Sequence, residues 1–330
     1  MKLKPGNVHS LVHDSKALQD NPLGDPSVRD VLVYTPPNWD SKTPLPALFA
    51  LPAFCGTAWG FLNRRWRDES LPERMDRLVA AGMPPMLVVI PDSITAVGGS
   101  QYLDSPGIGA YQEWITVELK AFIEERYPTT GAWGAIGKSS GAYGALVMAM
   151  QRPGCFRAIA AHSPDAGFEY CYPPDFPGAV EAIRTAGGVS SWWGEFLQGG
   201  PLRGAQHSVI NLLGMSCAYS FQPGVEPLPC DLPVDLETGA TRAEVFERWL
   251  ELDPVRMAVE SKDALEQLNG IWLDVGRKDE FRLQVGARLL HDELEALNVS
   301  HQFLEHPRGH FKLDHRFDHS LPFLAERLSV

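Results

Sequence analysis

Short apolar runs recur along the chain at 31–34, 47–51, 86–90, 133–136, 158–161, 271–275 and 301–304, bounded by Pro, Gly and Asp. Between several of them apolar residues step by three or four, most clearly at 111–126, 144–152 and 283–297. The first pattern reads as strands and the second as amphipathic helices. Strands without polar alternation need cover on both sides, so the chain is expected to adopt an α/β fold, with helices on both faces of a mostly parallel central sheet. From about 164 to 262 the rhythm breaks, with Pro, Gly and aromatic residues prominent and helices indicated only near 178–186 and 243–250. A structureless loop of that length is improbable in a compact domain. Residues 164–262 are therefore expected to form a largely helical cap with its own small core, inserted into a core made of 1–163 and 263–330.

The run 133–136 leads into Gly137-Lys138-Ser139-Ser140-Gly141 and then into a helix of small residues. A G-x-S-x-G at a strand-to-helix turn lifts its serine onto a strained backbone at the C-terminal edge of the sheet, and the flanking glycines let strand and helix approach closely. Ser139 is the candidate nucleophile, and the Ser140 N–H at the helix start is a candidate oxyanion donor. The bland alternative is a Gly-rich turn without chemistry. A phosphate-binding loop requires G-x-x-x-x-G-K-[ST], whereas Lys138 precedes both serines.

A serine hydroxyl needs a histidine base and an orienting carboxylate, which follow the serine in the order acid, then histidine, in this kind of fold. After the run 271–275 comes Gly276-Arg277-Lys278-Asp279-Glu280, a turn at the C-terminal end of a strand, where parallel sheets place their active sites. Asp279 is the candidate acid, Glu280 its substitute, and Asp274 falls inside the strand. The candidate base is His310, in the Gly309-His310 pair beyond the last strand, ahead of His306, His315 and His319. The two i,i+4 pairs among these histidines lack the Glu of H-E-x-x-H, so no metal is expected. The loop after 47–51, Pro52-Ala53-Phe54-Cys55-Gly56, is placed to supply the second oxyanion amide near Phe54. Cys55 has no neighbouring histidine to activate it.

The 29 Lys and Arg against 41 Asp and Glu give a net charge of −12, and no basic stripe interrupts it. That field repels phosphate backbones and anionic lipid, so neither a nucleic acid nor a membrane is an expected partner. Residues 1–18 lack the apolar stretch of a secretory leader, and no run of ~18 apolar residues occurs. The five cysteines, 55, 155, 171, 217 and 230, are odd in number and widely spaced, as buried thiols are. A cytoplasmic protein acting on a small-molecule ester is expected, with no cofactor; a homo-oligomer is left open.

Together, these residues resemble the esterase D, S-formylglutathione hydrolase and enterochelin esterase group of the α/β-hydrolase superfamily. The resemblance extends to Val31-Leu-Val-Tyr-Thr-Pro-Pro37, similar to an early antiparallel strand, to the loop Gly98-Gly-Ser-Gln-Tyr102-Leu-Asp-Ser105, and to Gly276-Arg-Lys-Asp279-Glu-Phe281, similar to the group's acid turn. It implies an α/β-hydrolase fold and a triad of Ser139, Asp279 and His310, with oxyanion amides from Phe54 and Ser140. The chain departs from the group at Pro52-Ala53, where His-Gly or Asp-Gly is usual, and in its long insertion. That insertion leaves the sheet at a strand's C-terminal end, so its Tyr170, Tyr172, Trp192 and Trp193, with Tyr102, are expected to line the substrate pocket. The implied activity is that of a serine carboxylesterase for short-chain or aryl esters. A glutathione thioesterase and a non-catalytic hydrolase-like binding protein are the alternatives.

Overall fold

Backbone pairing joins eight strands into one sheet in the computed structural model, which describes residues 5–64, 66, 68–199 and 205–329. In chain order the strands are β1 (Asn7–Asp14), β2 (Val28–Thr35), β3 (Leu45–Leu51), β4 (Leu87–Pro91), a two-residue pair β5 (Asp104–Ser105) and β6 (Gly109–Ala110) outside the sheet, β7 (Thr129–Lys138), β8 (Ala158–His162), β9 (Gly270–Gly276) and β10 (Gln302–His306). The sheet order is β1-β2-β4-β3-β7-β8-β9-β10. Only β2 runs against its neighbours, antiparallel to both β1 and β4.

The helices are α1 (Leu71–Ala80), α2 (Tyr111–Glu113), which continues through a π-helical stretch at Trp114–Leu119 into α3 (Lys120–Glu124), α4 (Ser140–Gln151), α5 (Phe168–Cys171), α6 (Phe176–Thr185), α7 (Val189–Leu197), α8 (Gln206–Tyr219), α9 (Ala243–Leu250), α10 (Pro254–Glu260), α11 (Lys262–Glu266), α12 (Leu283–Ala296) and α13 (Phe317–Leu328). Along β3 the side chains alternate between two layers. Ala47, Phe49 and Leu51 pack with Trp114, Leu146 and Leu290 on one face, while Leu48 and Ala50 pack with Met75 of α1 and Leu321 of α13 on the other. The strand is apolar throughout because each face has its own helical cover, the physical cause of the unbroken apolar runs.

β1 lies where the sequence pattern indicates no strand. It is an edge strand whose first four residues are all exposed, so it has no fully buried face to impose a period, and pairing with β2 along its whole length places it. The segment between β8 and β9 is largely helical among its described residues, as expected, but it does not keep a core to itself. Phe168, Tyr172, Val180, Leu213 and Trp249 share one apolar cluster with Tyr143 and Val147 of α4, Val275 of β9 and Ala287 of α12. The insertion is thus packed onto the sheet-covering helices over a wide front. No described helix is long and apolar enough to cross a membrane.

Candidate active site

The parallel strands β7, β8 and β9 end side by side, with Lys138 opposite His162 and His162 opposite Asp274. Each then turns into a loop at the same edge of the sheet. Ser139 follows β7 directly, with φ 56° and ψ −126°. A non-glycine residue at such angles is strained and persists only where its surroundings hold it. Its amide donates to the His162 carbonyl at 3.0 Å, and its own carbonyl accepts the Tyr143 amide at 2.9 Å. The two flanking glycines are required by space. A Cβ on Gly137 would lie 2.2 Å from the Gly141 carbonyl carbon, and one on Gly141 would lie 2.2 Å from the Leu51 carbonyl oxygen. These contacts convert the G-x-S-x-G spacing into a close crossing of β3, β7 and α4.

The candidate acid and base, Asp279 and His310, come from the turns after β9 and β10. Asp279 Oδ2 lies 2.8 Å from His310 Nδ1, and Asp279 Oδ1 accepts the Phe281 amide at 3.0 Å, so the carboxylate is fixed by one backbone bond while it holds the ring with its other oxygen. Glu280 acts on the backbone instead, its Oε2 accepting the His310 amide at 2.5 Å. Lys278 N to Arg308 O at 3.1 Å and Arg277 N to His306 O at 2.8 Å bind the two turns to each other. Phe281 and Phe311 pack edge-on against the His310 ring, at centroid distances of 4.8 and 5.5 Å. Asp279 and His310 are both buried.

Ser139, Ser140, Ala53, Phe54 and His310 line one cleft of about 130 Å³, and the insertion contributes Asp165, Cys171, Tyr172, Asp175, His207 and Asn211 to it. In the loop after β3 the Cys55 amide is taken by Gly98 O at 2.7 Å and the Gly56 amide by Ala53 O at 2.8 Å, while the Phe54 side chain is socketed against Gly98, Gly99 and Gly214. Cys55 is an exposed residue whose sulfur turns toward Gly98, and desolvation pushes its thiol up to about 11, which keeps the thiolate scarce at neutral pH. A second depression, of about 210 Å³, shares Ala53 and Lys138 with the cleft and runs on to Phe61, Arg74 and Phe317.

The aromatic residues expected in the pocket divide. Tyr172 is in the cleft. Tyr102 lies outside the cleft lining, its hydroxyl donating to Pro52 O at 2.6 Å, and it braces the loop after β3. Tyr170 is 48% exposed and lies outside the cleft lining. Trp192 and Trp193 are buried in α7, where both stack on Phe196 at 5.1 and 5.3 Å. An apolar run on a short helix buries its largest rings against the nearest cover, and here that cover is the insertion itself. Trp192→Ala or Trp193→Ala is therefore expected to cost about 3 to 5 kcal/mol of stability and to leave the ranking of ester substrates unchanged. A change in ranking of kcat/KM without a fall in melting temperature would return the tryptophans to the pocket.

Four polar cleft residues carry no motif and escaped the sequence reading: Asp165, Asp175, His207 and Asn211. Only Asp165 left a signal, since it lies three residues beyond the end of β8, at the sheet edge where Ser139 lies. Burial pushes its carboxyl up, against the lowering pull of Gln101, His310, Ser140 and Ser139. Burial likewise raises Asp175, opposed by Arg282 and His207, and lowers the His207 ring, opposed by Asp175.

A second serine, histidine and aspartate lie within bonding distance in the core. His162 Nδ1 is 2.8 Å from Asp274 Oδ1, and His162 Nε2 is 2.8 Å from Ser320 Oγ. All three side chains belong to fully buried residues, so no ester reaches them and the same constellation serves as structure. Burial alone would raise the Asp274 carboxyl, but the His162 ring, Arg316 and Trp272 outweigh it and hold the carboxyl well below the usual range. Its contribution to stability is full above the unfolded carboxylate value of about 3.9 and is lost as pH falls below it toward the depressed folded value. Asp274→Asn is expected to cost on the order of 3 to 5 kcal/mol at neutral pH, because Arg316 and His162 lose their buried partner. Unfolding titrations that show less than about 1 kcal/mol of loss would contradict this role.

Among the described residues, one group of metal-ligand side chains clusters, His291, Glu295 and His301 on α12 and the loop before β10. His291 Nδ1 and His301 Nε2 are 2.7 Å apart, and His301 Nδ1 is 2.8 Å from Val299 O, so both ring nitrogens of His301 are engaged in hydrogen bonds. None of Ser139, Asp279 and His310 belongs to this group.

A model of a family described as putative esterase matches residues 26–321. Among solved structures the chain is similar to a ferulic acid esterase, at 19% identity and TM-score 0.64, with 98% of this chain and 99% of that one covered. It is also similar to an S-formylglutathione hydrolase from Agrobacterium tumefaciens (18%, TM-score 0.59, 98% and 96% covered). A third is a fluorophosphonate-binding serine hydrolase from Staphylococcus aureus (14%, TM-score 0.60, 98% and 99% covered). At these identities the structures establish a common fold.

Proposed function

The chain belongs to the putative esterase family and is a carboxylic ester hydrolase, and we propose that it is a serine esterase for short-chain or aryl esters, working through an acyl-enzyme. The observation that carries this reading is the convergence of a strained Ser139 and a His310–Asp279 pair in one cleft. Ser139 Oγ attacks the ester carbonyl and passes its proton to His310 Nε2. The tetrahedral oxyanion is met by the amides of Ser140 and Phe54. His310 then gives the proton to the leaving alcohol as the C–O bond breaks, and water repeats the sequence to release the acid. Asp279 fixes Nδ1 as the protonated nitrogen, which leaves Nε2 free to act as base.

The cleft holds the reacting end of the ester, and the adjoining depression past Ala53 and Lys138 offers room for its other half. Asp165 and Asp175 line the cleft. Carboxylates there work against glutathione, itself a carboxylate, and favour an oxygen ester over a glutathione thioester. The enzyme needs no cofactor for this chemistry, and we place it in the cytoplasm, where its thiols stay reduced. Labelling with a fluorophosphonate tests the reading. Wild-type protein is expected to be labelled and Ser139→Ala is not; labelling that survives in Ser139→Ala overturns Ser139 as nucleophile.

A further inference from the structure

We propose that Asp165 is a binding subsite for a hydrogen-bond donor of the substrate, a hydroxyl or an ammonium on the carbon next to the scissile carbonyl, so that the enzyme prefers 2-hydroxyacyl and 2-aminoacyl esters to their unsubstituted counterparts. The proposal rests on the serine-esterase reading above. Asp165 has no place in the triad, whose carboxylate is Asp279, yet its Oδ1 lies 3.2 Å from Ser139 Oγ. It is buried and lines the cleft with Ser139, His310 and Tyr172.

The hydrogen bonds at the two carboxyl oxygens are unequal. Oδ2 accepts from Ser140 Oγ at 3.1 Å, Gln101 Nε2 at 3.3 Å and the Tyr172 hydroxyl at 3.4 Å, and Gln101 and Tyr172 are themselves tied to the Tyr219 hydroxyl at 2.7 and 3.3 Å. The network holds the group in place. Oδ1 has Ser139 Oγ as its donor. Once Ser139 turns its proton toward His310 and its oxygen becomes the ester oxygen of the acyl-enzyme, that donor is gone. Two oxygens then face each other in a buried site with no hydrogen between them. A buried acceptor left in this state is costly, and a donor carried by the substrate removes the cost at the stage where it arises.

The direction of the missing donor follows from the other groups around the reacting carbon. Its oxyanion points to the Ser140 and Phe54 amides and its leaving oxygen to His310, so the acyl substituent takes the remaining direction, on the side of Asp165. Burial raises the Asp165 carboxyl. An ammonium restores the stability of its ionised form, and a hydroxyl bonds to it directly. Asp175, on the same cleft wall, adds a second carboxyl and favours a neutral or cationic acyl group over an anionic one.

The test compares kcat/KM for phenyl propionate, phenyl lactate and phenyl alaninate, each divided by its rate of hydrolysis by hydroxide. Wild-type protein is expected to favour lactate or alaninate by about tenfold or more over propionate. In Asp165→Asn, which keeps the shape and loses the charge, the alaninate preference is expected to fall toward one. Should that variant fail to fold, Asp165→Glu, which displaces the carboxylate by one methylene, is expected to lower both preferences. Turnover and fluorophosphonate labelling with no preference in wild type, or a preference unchanged in a folded Asp165 variant, overturns the subsite alone. Absence of both labelling and turnover overturns the serine-esterase reading and the subsite with it.

Discussion

Replacing Ser139 by alanine is expected to lower kcat for a short aryl ester by roughly 10³ to 10⁶, and replacing His310 by alanine to do much the same. The two losses are not expected to add. With the hydroxyl gone, His310 has no proton to accept; with the ring gone, the hydroxyl loses the base that takes its proton and returns it to the leaving alcohol, so either change removes the same covalent step. The residual rate reflects the cleft and its amides acting on bound ester. The fold should persist in Ser139→Ala, because the Ser139 backbone is held by its bonds to His162 and Tyr143 and not by its hydroxyl. A Ser139→Ala protein of unchanged melting temperature with near-native turnover would remove the serine from the mechanism. A double variant far slower than either single one would mean that serine and histidine act in separate steps.

The second large effect is at the acid. Asp279→Asn is expected to lower kcat on the order of 10⁴ with little change in the fold. The carboxylate accepts from His310 Nδ1 at 2.8 Å, and an amide that turns its NH₂ to the ring selects the other tautomer, with the proton on Nε2 where the base must be free. Glu280→Gln provides the contrast. Its carboxylate accepts the His310 backbone amide, a bond that a side-chain amide oxygen also accepts, so a far smaller loss is expected. A silent Asp279→Asn beside an inactive Glu280→Gln would transfer the role one residue along the chain.

The candidate triad was legible because each member is tied to a local device. Ser139 depends on two glycines whose absent side chains let three elements cross. Asp279 and His310 follow the apolar runs of β9 and β10, and a parallel sheet directs the ends of such strands to one edge. The cleft wall was less legible. Tyr172 lines the cleft with Ser139 while Tyr170, two residues away, is exposed, and Trp192 and Trp193 turn inward to Phe196. Aromatic composition gave the chemistry of the insertion, but the direction of each ring depends on helix packing that no short pattern encodes. β1 escaped for the opposite reason, being held by pairing with β2 and not by a buried face of its own.

Two serine–histidine–aspartate sets mark the boundary between sequence and tertiary structure. From residue types and spacing alone come the mostly parallel α/β core, the strand-to-helix turn at Ser139 and the order of the candidate acid and base behind it, because strand burial and close backbone approach leave their marks within a few neighbouring residues. The spacing of His162, Asp274 and Ser320 leaves no such mark, and neither does that of Asp165 beside Ser139. These meet only when β8, β9 and α13 are packed, over sequence separations of 112, 158 and 26 residues. Solvent access then separates the two: His310 lines a cleft with Asp279 bonded behind it, while His162 and Asp274 pair at the same 2.8 Å with no path to a substrate.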